Sequence, residues 1–190
     1  MIVDVTVVTP SVPGRGVLLA EACASVAGQT AAPRAHLVGI DHARAGPART
    51  RNALLAAAST EWVAFLDDDD VLDPDHLESL LAAAEAEKAD LVYSYFRVEG
   101  RPWENPNRGF DEADLRVGNY IPVTVLARRR AVLDAGGFAI GEPLEDWVLW
   151  IWMLNGGAKF ACLPRETWTY RWRPREAMDN RTYRVEVGER

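Results

Sequence analysis

Residues 67–70 are four consecutive aspartates, and they follow the apolar run Trp62-Val63-Ala64-Phe65-Leu66. Four carboxylates at the end of a buried strand repel one another and resist desolvation, so a compensating positive charge is required. A divalent cation supplies it most simply. Carboxylate oxygens are hard ligands that suit magnesium or manganese, ions that keep coordination positions open for substrate phosphates. The run therefore predicts a metal-diphosphate site at a strand end, where open α/β sheets hold their ligands. A solvated acidic loop is the alternative for such a run. That alternative accounts well for the acids that come next, because Asp73-Pro74-Asp75 has the cap and first-turn proline of a helix start.

The elements that must carry this run alternate in kind. Strands are expected over 2–8, 36–40, 62–66 and 91–96, and helices over 16–29, 48–58 and 75–86, from apolar periodicity and the breakers between them. Strands alternating with helices of this length imply an α/β domain with a mostly parallel sheet covered on both faces. The second half is organised differently. Residues 100–118 read as a polar crossover loop, followed by a strand over 121–127, helices over 129–135 and 146–154, and two short strands over 159–163 and 167–172. Six of the seven tryptophans lie in this half, most of them expected in the core; Trp103, in the crossover loop, is the one expected to meet a ligand.

With 190 residues, 48% apolar and 26% charged, the chain has the composition of an ordinary globular domain. No apolar stretch reaches about 18 residues and no basic-then-apolar leader is visible, so a cytoplasmic protein without a membrane span is expected. Cys23 and Cys162 lack metal spacing and read as free thiols. A net charge of −7 argues against non-specific nucleic-acid binding. The arginines at 128–130 and between 165 and 184 could still attract an anionic acceptor, a lipid phosphate or even a nucleic acid, or be ordinary surface.

Several short pieces, taken in order, resemble family 2 glycosyltransferases of the GT-A fold. They are Val5-Thr6-Val7-Val8-Thr9-Pro10, Ser25-Val26-Ala27-Gly28-Gln29-Thr30, Asp41, Ala48-Arg49-Thr50-Arg51-Asn52, Phe65 to Asp70, Gly136-Gly137-Phe138 and Glu145-Asp146. The resemblance implies one Rossmann-like GT-A nucleotide-diphospho-sugar transferase domain over 1–190. Residues 1–100 would form its nucleotide-sugar-binding half, 101–172 its acceptor and catalytic half, and 173–190 a polar tail. It also implies an inverting, metal-dependent transfer from a nucleoside-diphosphate sugar, expected to be a UDP-sugar, to a hydroxyl of a glycan, lipid-linked or other acceptor.

The same resemblance assigns roles. Asp69 would be the direct ligand of Mn²⁺ or Mg²⁺, and Asp67 a second ligand or a contact to the ribose or the metal's waters, with Asp68 on the donor side. Thr9 and Pro10 would shape a turn against the base, and Asp41 would accept from uracil or ribose, although aspartate is also favoured in plain turns. Arg49 and Asn52, one helical turn apart, would face the nucleotide or simply make a helix surface polar. Asp146 takes the position of the general base with Glu145 beside it; local sequence alone reads the pair as acids favouring a helix N-terminus. Gly137 and Trp103 are expected diphosphate or acceptor contacts.

Two departures stand out. Asp41-His42 appears where two acids are common, and Tyr170-Arg171-Trp172-Arg173 carries arginine where a histidine is usual. Arg171 or Arg173 would then clamp phosphate oxygens in place of a metal ligand. Two other classes remain open to the sequence. One is a non-catalytic sugar-nucleotide binder. The other is a haloacid-dehalogenase-like phosphatase with Asp67 as nucleophile, for which the lysines, Lys88 and Lys159, stand in poor order relative to the acids.

Overall fold

The computed structural model describes residues 1–100 and 107–172. Trp103, Arg173 and the rest of the 173–190 tail lie outside the described residues. Its strands are β1 (Ile2–Ser11), β2 (Ala32–Ile40), β3 (Trp62–Phe65), β4 (Val71–Leu72), β5 (Leu91–Glu99), β6 (Val125–Arg128) and β7 (Phe160–Arg171). Among the described residues they form one sheet in the order β2-β1-β3-β6-β5-β7-β4. β1 pairs in parallel with β2 and β3, and β5 with β7. β6 is inserted antiparallel between β3 and β5, and β4 lies antiparallel on β7. Only β4 and β6 oppose the other five strands, so the sheet is mostly parallel, as expected.

Alternation along the central strands divides the core in two. Val8, Val63, Phe65, Leu91, Tyr93, Val125 and Ala127 face one way, where they meet Leu55 of α2 (Pro47–Ala57), Val132 of α5 (Arg129–Asp134) and Trp150 of α6 (Glu145–Asn155). Their neighbours Val5, Val7, Trp62, Ala64, Val92 and Leu126 face the other way, onto α1 (Gly16–Ala27) and α3 (His76–Glu87). A strand buried on both faces must be apolar at odd and even positions alike, which is why β3 reads as a continuous apolar run.

Three segments depart from expectation. The polar crossover contains a short helix, α4 (Glu112–Val117), whose cap Asp111 accepts from the Asp114 amide at 3.0 Å. Capping by a side chain lets a polar segment become helical without an apolar stripe. β6 begins at Val125 instead of residue 121, which leaves 119–124 free to line a pocket. The two expected terminal strands are one strand, β7, whose register against β5 shifts between Ser94 and Tyr95. Pro164 lies in that shift, where its missing N–H removes nothing from the ladder.

Candidate active site

The carboxyl ends of β1 and β3 open onto a cleft of about 480 Å³. Its walls include Ser11, Arg15, Asp41, Arg51 and Asp67 to Asp69. The four aspartates leave β3 in different environments. Asp68 is 2% exposed, accepts from Ser11 Oγ, and pairs with Arg15 Nη1 at 2.9 Å. Asp69 accepts from Arg15 Nη2 at 2.6 Å, and its side chain is 18% exposed. Asp67 accepts from Arg51 Nη2 at 2.6 Å and is 34% exposed, the most open of the run. Asp70 turns inward, where its Oδ1 accepts from the Arg171 amide at 3.0 Å. Burial, and then the charge of Asp67, raise the carboxyl pKa of Asp69; the same two causes hold Asp70 well above the usual carboxylate range.

A second pocket of about 250 Å³ adjoins the first, and Asp67 and Tyr170 line both. Asp146 lines this second pocket together with Asp70, Asn119 and Trp168. Leu144, a left-handed residue with φ of 58°, immediately precedes α6, whose first turn carries Glu145 and Asp146. Asp146 Oδ1 accepts from the Trp147 amide at 2.8 Å and from Asn119 Nδ2 at 3.2 Å. Burial and the neighbouring Glu145 charge push its pKa up to about 6. Such a carboxylate is basic enough near neutrality to take a proton from a hydroxyl held beside it. Thr124 Oγ1 and Trp168 Nε1 are buried, lack a hydrogen-bond partner among the described residues, and belong to residues lining the same pocket.

The glycosyl transferase family 2 model matches residues 20–134. The chain belongs to that family. ExoO, a succinoglycan biosynthesis protein of Rhizobium meliloti (strain 1021), is 37% identical over 86 residues, which is 44% of this chain and 23% of ExoO. S. aureus TarS 1-349 in complex with UDP-GlcNAc superposes with a TM-score of 0.76 at 15% identity, covering 96% of this chain and 62% of that one. Mannosyltransferase PcManGT from Pyrobaculum calidifontis, in complex with GDP-Man and Mn²⁺, gives a TM-score of 0.68 at 16% identity, over 91% and 58% of the two chains. The chain thus spans less than two thirds of the length of these relatives. It is a glycosyltransferase domain with the GT-A fold, which removes the grounds for the phosphatase alternative. Among the described residues no helix is long and apolar enough to cross a membrane.

Within this family 2 domain the residues singled out from the sequence occupy different settings. Pro10, Asp41 and Asp67 to Asp69 line the first cleft, and Asp146 the second. Asp41 accepts from the Gly46 amide at 2.8 Å, and the backbone N–H groups of its loop, that of Ala45 first, lower its pKa. Glu145 lines the first cleft. Thr9 is buried within the sheet, its hydroxyl 2.9 Å from His36 Nε2, so its side chain is occupied away from the cleft. Arg49 is exposed on α2 and lines neither pocket. Asn52 exchanges two hydrogen bonds of 2.8 Å with the backbone of Phe138, clamping the double-glycine turn. Gly137, at φ of +74°, packs against it, and a Cβ there would come within 2.7 Å of Asn52 Oδ1. Arg171 lines the cleft while its guanidinium pairs with Glu21 and Glu99.

Arg51 is the residue the motif reading passed over. It is 4% exposed and spans Asp67 and Glu145. Its signal was present in the sequence, since Ala48, Arg51 and Leu55 share one face of α2, the face that is buried. Arg15, on an irregular turn, carried no such signal.

Proposed function

We propose that this domain transfers a sugar, with inversion, from a nucleoside-diphosphate donor, taken here as a UDP-sugar, to an acceptor hydroxyl. The observation that carries this reading is the pair of adjoining pockets joined at Asp67, with the raised-pKa carboxylate of Asp146 in the second. The nucleotide would lie in the larger cleft, near Pro10 and Asp41. The relatives bound to UDP-GlcNAc and to GDP-Man support a nucleotide-sugar donor of this kind.

Asp69 and Asp67 would hold the divalent cation. They are the partly exposed carboxylates of the run, whereas Asp68 and Asp70 are enclosed. Among the described residues no cluster of three or more His, Cys, Asp or Glu could hold a metal by itself. Magnesium and manganese are commonly held by one or two carboxylates with phosphate oxygens and water completing the shell, so this donor set fits. When bound, the ion would supply charge stabilisation to the departing diphosphate.

The chain's own groups do the rest. The acceptor enters the second pocket, where Asn119 and Pro122 line the approach to Asp146. Its oxygen attacks the anomeric carbon opposite the diphosphate, the carbon–oxygen bond to phosphate breaks, and Asp146 receives the hydroxyl proton. Asn119 and the Trp147 amide hold the receiving carboxylate in orientation. Arg51 sets positive charge between Asp67 and Glu145, so the acids of donor cleft and base helix can sit together.

Incubation with UDP-sugars and Mn²⁺, with NMR of the product's anomeric signal, tests the reading. Transfer or donor hydrolysis by the parent protein, lost in Asp146→Asn while UDP still protects against thermal unfolding, is the expected result. UDP binding with no turnover under any acceptor would favour a sugar-nucleotide binder instead.

A further inference from the structure

Arg15 stands immediately before α1, after the turn at Pro13-Gly14, where Gly14 has φ of +97°. Its guanidinium reaches 54 residues along the chain to take Asp69 Oδ2 at 2.6 Å with Nη2, while Nη1 takes Asp68 Oδ1 at 2.9 Å. Ser11 holds the other oxygen of Asp68, so that carboxylate is committed to β1 and Arg15 together. Asp69 is the carboxylate that the proposed function gives to the cation. A guanidinium already on it places positive charge where a second cation must come.

The two arginines of the cleft differ in their exposure. Arg51 is enclosed, with a carboxylate on each side, at Asp67 and Glu145. Arg15 is 23% exposed at the cleft rim, next to glycines 14 and 16, around which an added Cβ would meet nothing within 4 Å. Its fork geometry suits a phosphate as well as a carboxylate. A diphosphate entering this cleft therefore offers Arg15 a second partner of the kind it already holds.

We infer that Arg15 and a divalent cation compete for Asp69, and that Arg15 transfers to the donor's diphosphate when the cation binds. This rests on the reading that the cation sits at Asp69. Its consequence is positive coupling: the cation binds weakly by itself, because Arg15 Nη2 must give up Asp69 while Nη1 stays on Asp68, and tightly with a nucleoside diphosphate, which receives the displaced nitrogen. Charge-assisted hydrogen bonds of this type correspond to a factor on the order of ten to a hundred in affinity.

The test is a Mn²⁺ titration of the protein followed by the EPR signal of free Mn²⁺, with and without UDP, for the parent, Arg15→Gln and Arg15→Lys. Parent protein should bind Mn²⁺ weakly alone and about tenfold or more tightly with UDP. Arg15→Gln should bind Mn²⁺ alone about tenfold more tightly than the parent, and UDP should raise its affinity by a smaller factor than it does in the parent. Arg15→Lys, which keeps the charge on a single donor point, should fall between them. Protection by UDP against thermal unfolding, read in parallel, shows that each variant is folded. If the parent shows UDP-dependent Mn²⁺ binding but Arg15→Gln binds Mn²⁺ alone no better, the competition is refuted while the metal reading stands. If none binds Mn²⁺ under either condition although UDP protects all three, both fall.

Discussion

Arg51 and Glu145 lie 94 positions apart and are joined by an ion pair of 2.7 Å between Nη1 and Oε1. The second terminal nitrogen of the same guanidinium holds Asp67 at 2.6 Å. One buried cation thus ties the acidic run to the first turn of the helix that carries Asp146.

Removing that cation leaves Asp67 and Glu145 facing each other with nothing between them. Breaking a buried ion pair on one side costs about 3–5 kcal/mol, because the remaining charge is left uncompensated. Arg51→Met is expected to lower stability by that order in urea denaturation. Arg51 also holds the Asp146 pKa down against burial and Glu145, so the variant's residual activity should require a higher pH than the parent's. A double-mutant cycle with Glu145→Gln should return a strong coupling energy; near-additive losses would mean the pair acts as no strut.

Asp146 is a costly residue for the fold. Its folded pKa of about 6 lies above the ordinary value of 3.8, so its stabilising contribution is complete below pH 3.8 and is lost as pH rises through 6. Asp146→Asn keeps an oxygen for Asn119 and the Trp147 amide and removes a half-buried charge. It should therefore be more stable than the parent at pH 8, by up to ~3 kcal/mol, and indistinguishable near pH 4. Transfer activity should fall about a hundredfold to ten-thousandfold, the usual contribution of a general base. Equal denaturation midpoints for the two proteins at pH 8 would contradict a desolvated carboxylate at this site.

The clamp between Asn52 and Phe138 predicts a stability effect with little direct effect on chemistry. Asn52→Ala leaves a backbone N–H and a C=O of Phe138 without their partners, a loss of about 2 kcal/mol. Phe138 meets Phe65 edge-on at 5.0 Å and lies under the Arg51 guanidinium at 5.2 Å. A slackened turn should therefore also weaken UDP binding several-fold, as read by calorimetry. Gly137→Ala should act in the same direction, since it combines a positive φ with a contact of 2.7 Å.

Much of this architecture is legible in the sequence. Two-sided burial makes β3 apolar at every position and the centres of β1 and β5 largely so, and Pro47 marks the first turn of α2. The acidic run at 67–70 was legible for a related reason, because four charges directly after a buried strand conflict with their surroundings unless a site uses them. What escaped is long-range or capped by a single side chain. α4 is hidden because Asp111 caps a polar segment, and β7 because Pro164 looks like a break when it sits in a register shift. The choice between Arg49 and Arg51 turned on which face of α2 meets the sheet. Arg15 lies on a turn, where no periodicity tells which distant carboxylate the side chain will meet.

His76 sets a second pH window that overlaps that of Asp146. It is buried at the start of α3, with Nδ1 2.7 Å from Thr167 Oγ1, which is itself 2.6 Å from Ser94 Oγ. Burial lowers its pKa from 6.5 to about 4, so the neutral ring favours the fold: the contribution is intact above pH 6.5 and is lost as pH falls through 4. The shift corresponds to about 3 kcal/mol over that interval. Activity should fall below pH 6 for a different reason, protonation of Asp146 in its proposed role as base, and the two losses would be confused in a simple pH profile. His76→Asn separates them, because its amide can still meet Thr167 but cannot take up a proton. In that variant only the opposing Asp146 contribution remains, so the denaturation midpoint should rise as pH falls from 6.5 to 4, while the rate profile keeps its acid limb near 6. An acid limb that moved with the stability curve would show that unfolding, and not ionisation of Asp146, governs the loss of turnover.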